Sequence, residues 1–552
     1  MKNKKIKSLL FACAIIIASN LSCKKKIEEA YLNPNAAVTQ PIESILSGVI
    51  GSFTAFFSSA GSGYGVQADG ILLGRYIQYW GTQTSGENYG QMGGAINSDN
   101  TGGLWAAVYY GQGQNVNKII QWGTEQQKWD YVGVAQAIRA WGWLELTNCY
   151  SDAILKQAFN TSLSQFLYDT QPEFYDSCRV ICHRALSNLN RTDGNVSQAN
   201  LAIGDAYFYN GDVTKWKKFV YGILARSYGN LTNKANFLTA GYADSAIKYT
   251  NLSLADNNDN ALVKLKGVPL TSAVLNFFGP FRGNFGAIRQ AGYIADLMSG
   301  VNTDAFFGVA DPRRWYMLQE NALGTFKGFT PWLGATGFTV ATDYPRNFWG
   351  NTTANATTGP TVEAGRYLFQ NLSPFPMMTA SEMQLIKAEC SFRKGDKTTA
   401  LAAYINAISL NFDMLTTTYP QNIPAANVIT PVSKAAYLAN PAIVPTAANL
   451  TLTHIMLQKY IALYGWGVQL TWTDMRRYHY NKDIDPLTAK PVYANFTPPS
   501  GVNLISTNNN EKVYRCRPRF NSEYLYNIPE LTRIGAYQNL NYNTFECWFS
   551  QN

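Results

Sequence analysis

Residues 378–411 read MTASEMQLIKAECSFRKGDKTTALAAYINAISLN. Two amphipathic helices are spelled out here, separated by Gly395-Asp396, a pair that favours a tight turn. Past the turn, Ala400, Tyr404 and Ala407 recur at helical spacing and share one face. Small side chains on that face let two antiparallel helices approach closely. The stretch therefore predicts a helix–turn–helix unit, and the fold depends on whether the unit recurs.

It does recur. QPEFYDSCRVICHRALSNLN at 171–190 carries Cys178, Cys182 and Ala185 at the same small-residue spacing. GYADSAIKYTNLSLADN at 241–257 turns Ala246 and Tyr249 to one side. Helical periods at 132–148 and 213–229 supply partners for these two segments. A further helix is expected over 453–470. The units resemble tetratricopeptide repeats. They predict a mostly α protein with a scaffold of about four helix pairs, mainly over 105–260 and 376–480. A large loop-rich portion is expected over 60–104, 265–375, 412–450 and 481–552, where Gly, Pro, Asn and aromatic residues replace helical patterning. The aromatic content argues for ordered loops packed on the scaffold.

The N-terminus reads as an export signal. Lys2, Lys4, Lys5 and Lys7 precede an apolar run at 9–18 that is too short to span a bilayer. Small or polar residues then lead to Cys23. This order resembles a bacterial lipoprotein signal, with Asn20 standing where an apolar residue is usual. Residues 1–22 are expected to be removed, leaving Cys23 as the lipidated first residue of a tether over 23–40.

The formal charge of the whole chain is +9, and the four signal lysines account for four of it. The remaining basic residues are scattered, which gives no nucleic-acid footprint. Only 15% of residues are charged, against about 25% in typical domains. Neutral polar residues and aromatics take their place, with 34 Tyr, 28 Phe and 13 Trp. Tyrosine offers an apolar face and a polar tip, so such a surface suits neutral polar ligands. After Cys13 and Cys23, six cysteines remain at irregular spacing, without a disulfide framework.

Motifs for bond chemistry are missing. There is no phosphate-binding loop and no nucleophile elbow. GSGYGVQADG at 61–70 places Val66 where a dinucleotide fingerprint needs its third glycine. His183, His454 and His479 lack metal-ligand spacing. Cys178 and Cys182 beside His183 are explained by helix packing. No catalytic residue, metal or cofactor is expected.

Several further segments resemble one family in order along the chain. They are EEAYLNPNAA at 28–37, WAAVYYGQGQNVNKII at 105–120, WLELTNCYSDAILKQAFN at 143–160 and YDTQPEFYD at 168–176. GDVTKWKKFVYGILARSYGNL at 211–231, DPRRW at 311–315, QKYIALYGWGVQLTWTDMRRYHY at 458–480 and PRFNSEYLYN at 518–527 follow. Together they resemble the SusD/RagB-like nutrient-binding outer-membrane lipoproteins of Bacteroidetes. The resemblance implies a single domain over 41–552, lipid anchoring at Cys23 and display at the outer membrane, although Lys24, Lys25 and Lys26 precede the first acids, Glu28 and Glu29. It implies a SusC-like TonB-dependent transporter as partner, a glycan or in some members a peptide as ligand, and no catalysis. The competing classes are a secreted helical glycoside hydrolase or lyase and a scaffold that binds only proteins.

In that family the ligand site lies on loops. Sugars stack their C–H faces on rings and meet amides and guanidinium groups through their hydroxyls. Two loop regions supply such residues here. One contains Arg75, Tyr79, Trp80, Asn88 and Tyr89; the other contains Trp315, Trp332 and Trp349. Trp80 and Trp332 stand out because their polar, Gly-rich neighbours make them hard to bury. The Arg476-Arg477 pair, after Asp474, reads as a brace for a helix end.

Overall fold

A computed structural model describes residues 40–54, 70–84, 88–94, 101–264, 288–348, 365–370 and 373–552. Cys23 and Trp349 lie outside them. Along the chain run α1 (Ile42–Thr54), α2 (Ile71–Tyr76), β1 (Trp80–Thr82) and α3 (Gly103–Ala106). After a π-helical turn at Ala107–Gly111 come α4 (Gly113–Glu125), α5 (Trp129–Tyr150), α6 (Gln171–Leu189), α7 (Gln198–Asp205), α8 (Val213–Gly229) and α9 (Tyr242–Leu252). Next are β2 (Ala261–Val263), β3 (Ile288–Gln290), α10 (Gly292–Ser299), α11 (Arg314–Met317) and β4 (Phe375–Met378). The chain continues through α12 (Ala380–Arg393), α13 (Lys397–Thr418), α14 (Pro431–Leu438), α15 (Leu452–Ala462), α16 (Val468–Arg477) and α17 (Ile528–Arg533). Among the described residues strands are few: β1 pairs antiparallel with β3, and β2 with β4.

The expected helix pairs form: α5 packs on α6, α8 on α9 and α12 on α13. Ala400, Tyr404 and Ala407 are buried, as are Cys178, Cys182, Ala185 and Ala246. At the α12–α13 contact, Ser381 Oγ donates to the Ala407 carbonyl at 2.8 Å. Gly395 makes the connecting turn at φ +83°, in the left-handed region that a side chain disfavours. The Asp396 carboxylate then accepts the Thr399 amide at 3.0 Å, capping α13. Thr170 and Glu173 form a reciprocal capping box at the start of α6.

Two expectations need correction. The helix over 453–470 is two helices, because the chain turns at Gly465 with φ +84° and restarts as α16. Nor are the loop-rich stretches free of helix: α2, α10, α11 and α17 fall within 60–104, 265–375 and 481–552, and α14 falls within 412–450. Pro431 does not break structure there; it starts α14 behind a Thr430–Ser433 capping box, since proline suits the first helical turn.

All six described cysteines are buried. No helix among the described residues is long and apolar enough to cross a membrane. The C-terminal segment is fastened to the scaffold through His479. Its Nδ1 meets Asp483 Oδ1 and its Nε2 meets Glu546 Oε1, each at 2.8 Å. Hydrogen bonds to these two carboxylates lift the imidazole to about 9. A pKa raised by folding gives stability that is present below the unfolded value near 6.5 and lost as pH rises through about 9. After discounting for solvent screening, stability is expected to fall by about 1–2 kcal/mol between pH 6.5 and 9.5. His479→Gln should lack that step in unfolding measured against pH; an unchanged step would place it elsewhere.

Candidate ligand-binding face

The face begins with α2 and β1. Gln78 takes a positive φ of 58° and redirects the chain from the helix into the strand. The turn drives the next two rings inward. Tyr79 donates its hydroxyl to the Tyr460 carbonyl at 2.6 Å and contacts Thr471 Oγ1 at 2.7 Å. Trp80, 1% exposed, donates its indole N–H to the Ile71 carbonyl at 3.0 Å. Its ring packs edge-on against Phe348 and Tyr464.

Four expected ligand contacts are therefore core. Arg75, Tyr79, Trp80 and Tyr89 are buried. Burial of the Arg75 guanidinium pushes it down to about 10, and Tyr89 packs near Tyr76. The glycines beside Trp80 do not expose it. Gly74 instead provides the space the indole fills: a Cβ there would lie 2.2 Å from Trp80 Nε1. Only Asn88 of this group is exposed, on a turn.

The second region stays closer to solvent. Trp315 and Trp332 are half-buried. Trp315 sits edge-to-face on Phe326, with centroids 4.8 Å apart. Trp332 follows Phe329, whose backbone bridges to Ala291. The same loop returns to β1 through the Ala335 amide, which donates to the Gln83 carbonyl at 2.8 Å. The loop carrying Trp332 is thereby set against the β1–β3 ribbon.

Next to Trp315 opens a cleft of about 780 Å³. Asp296 comes from α10 and Arg314 from α11, while Phe326, Lys327, Phe338 and Asp343 come from the loop between residues 323 and 343. The Arg314 guanidinium lies 5.4 Å from the Phe326 ring centre. Lys327 Nζ pairs with Asp343 Oδ2 at 2.8 Å. Burial raises the Asp296 carboxyl, and Lys327 opposes the rise. Phe338 also contacts Phe329 and Tyr344 edge-on, which fixes its orientation. The cleft thus combines ring faces with a guanidinium, an ammonium and carboxylates. Phe326 and Phe338 were not singled out from sequence. Their signal is the pattern FKGFTPWLGATGF at 326–338, where rings alternate with Gly and Pro that cannot bury them locally.

Among the described residues, no cluster of three or more His, Cys, Asp or Glu could hold a metal ion. Arg476 and Arg477 are fully buried and brace α16, as read from sequence. Arg476 donates to the Asn148 and Tyr514 carbonyls at 2.7 and 2.8 Å.

The architecture is a helical-repeat scaffold carrying a loop-built, ring-lined cleft. The chain belongs to the SusD-like family, described as starch-binding and associating with the outer membrane, whose profile matches residues 58–495. Its fold is similar to that of a SusD/RagB family protein from Bacteroides thetaiotaomicron, at 21% identity and TM-score 0.63, covering 93% of this chain and 99% of that one. It is also similar to a chitin-binding SusD homologue from Flavobacterium johnsoniae, at 16% identity and TM-score 0.63 with 93% and 99% coverage. A SusD homologue from Bacteroides fragilis gives 17% identity and TM-score 0.62, with 92% and 100% coverage. No curated protein sequence matches the chain.

Proposed function

We propose that this protein is a surface lipoprotein that captures a neutral oligosaccharide and delivers it, unaltered, to a SusC-like TonB-dependent transporter. The observation that carries the reading is the cleft beside Trp315, where half-buried Phe338 offers a ring face, buried Phe326 backs the wall and Arg314 offers donors within one concavity. Ring faces gain most from sugar C–H surfaces, and fixed polar groups orient the hydroxyls. Membership of a family described as starch-binding supports the ligand class, and the chitin-binding homologue with the same fold widens the range of glycans to try. Anchoring through Cys23 and the transporter partner rest on the signal-like N-terminus and on family likeness.

Binding of maltohexaose, cellohexaose and chitohexaose by calorimetry tests the site. Phe338→Ala with Arg314→Ala should weaken the bound hexasaccharide at least tenfold, which corresponds to about 1.4 kcal/mol. The melting temperature should stay close to that of the parent. Unchanged affinity would remove the cleft from the account. Separately, Cys23→Ala should move the protein from membranes to the soluble fraction with fold and sugar binding intact. A variant that stays on membranes would overturn the anchor assignment.

A further inference from the structure

Away from the loop face, a second concavity of about 350 Å³ opens between the start of the helical scaffold, the loop after α5 and the C-terminal segment. Three independent features mark it as built. Two of its walls are π-helical turns, Ala107–Gly111 and Phe520–Tyr524. Such turns are rare and concentrate at functional sites. Between them, Phe159 holds a positive φ of 66°, a backbone state that costs a non-glycine residue about 1–3 kcal/mol unless its surroundings enforce it. They do: Arg139 lies 4.5 Å from the Phe159 ring centre, and Trp143 stacks on it at 6.1 Å.

The third feature is the aromatic rim. Tyr110, on the first π-turn, is 57% exposed, and Tyr526, just past the second, is 68% exposed. Both rings stand largely in solvent, and both line the same concavity. Arg519 lies over Tyr110 at 5.4 Å, which holds that ring in place. The floor is Trp105 and Tyr109, 5.0 Å apart. Exposed Asn160 and Gln114 add amides at the mouth. The one charged lining residue, Glu523, already accepts the Tyr168 hydroxyl at 2.7 Å and the Asn527 amide at 3.0 Å.

We infer that this concavity is a second carbohydrate subsite, taking one or two neutral pyranose rings between Tyr110 and Tyr526. A charged ligand would meet no uncommitted counter-charge among the lining residues. The volume sits at the small-ligand end of the usual range, roughly 300–1,000 Å³. Ring faces with amides and hydroxyls around them match the two faces of a sugar. The ligand class is the one proposed for the loop face, so the test separates the two sites.

Maltotriose, cellotriose and chitotriose are titrated into the mature full-length chain, its Tyr110→Ala/Tyr526→Ala variant and the Phe338→Ala/Arg314→Ala variant. At least one trisaccharide should bind the parent at two equivalents. Each double variant should lose one equivalent and keep the other, with the melting curve of the tyrosine variant unchanged. Tyr110→Phe/Tyr526→Phe, which keeps the ring faces, should retain both equivalents. An unchanged stoichiometry in the tyrosine-to-alanine variant overturns the second subsite and leaves the loop-face reading standing. Unchanged sugar binding with loss of a co-purifying transporter makes the concavity a protein contact, which also overturns it. No binding of any of the three by the parent up to about 10 mM overturns both sites.

Discussion

Arg477→Ala is expected to destabilise the protein by about 3–5 kcal/mol, the cost of removing one partner from a buried ion pair. Arg477 is fully buried at the end of α16. Its Nη1 and Nη2 grip Glu389 of α12 at 2.6 and 3.1 Å, and Nη2 also reaches Asp474 at 2.5 Å. Lys459 of α15 pairs with Asp474 at 2.9 Å. Tyr478 donates to Glu389 at 2.6 Å, and Thr232, which follows α8, contacts Arg477. Two cations thus face two carboxylates where α12, α15 and α16 meet.

Burial would raise the Glu389 carboxyl, but Arg477 and Lys459 overcome it and hold the group at about 2. That depressed value gives stability that is present above the unfolded pKa near 4.5 and lost as pH falls through about 2. Without Arg477, the ion pair left to Glu389 among the described residues is the long one to Lys459 at 3.8 Å, while Asp474 claims the same ammonium. Burial then dominates and the Glu389 pKa rises, so the sign of the dependence reverses. The deficit of the variant should be largest at neutral pH and shrink toward pH 4.5. Denaturant unfolding at pH 7 and pH 4.5 checks both statements. A loss below about 1 kcal/mol at pH 7, the range of exposed ion pairs, would mean that the network contributes little.

Gly74→Ala should cost about 3 kcal/mol, near the upper end for an overpacked core. The new Cβ would lie 2.2, 2.3 and 2.6 Å from Nε1, Cε2 and Cζ2 of Trp80. An indole is rigid, so it cannot yield as the end of a flexible chain would. Displacing it also breaks its hydrogen bond to Ile71 and disturbs the register of Trp80 opposite Gln290. Because the loop carrying Trp332 rests on that ribbon, sugar affinity at the loop face should fall with stability. Adding Trp80→Phe removes the colliding half of the indole and should recover part of the loss. A Gly74→Ala protein that melts with the parent would show that the strand shifts freely, and that the ribbon does not position the loop.

Trp80 also shows where sequence reading of the site stopped. Rings among Gly, Ser and Gln have few apolar chain neighbours to bury them. The partners that bury Tyr79 and Trp80, namely Tyr460, Tyr464 and Thr471, lie almost 400 positions away. Helix pairing suffers less from this blindness. The spacing of Ala400, Tyr404 and Ala407 is local, and so was legible. Helix 453–470 was legible as helical period but not as two helices, because the break depends on the backbone state of Gly465. For Phe326 and Phe338 the residue types were visible, whereas their convergence with Arg314 and Asp296 required the loop to close on α10 and α11.

Capture without conversion is distinguished from hydrolysis by recovering the sugar. The mature protein is equilibrated with maltohexaose, cellohexaose or chitohexaose, and free sugar is followed over time. The protein is then denatured and all sugar is recovered and sized. At least one hexasaccharide should be depleted to a constant free concentration and return intact and in full. Shorter products that accumulate with time would contradict it, and would turn attention to Asp296 and Asp343 in the loop-face cleft as a hydrolytic carboxylate pair.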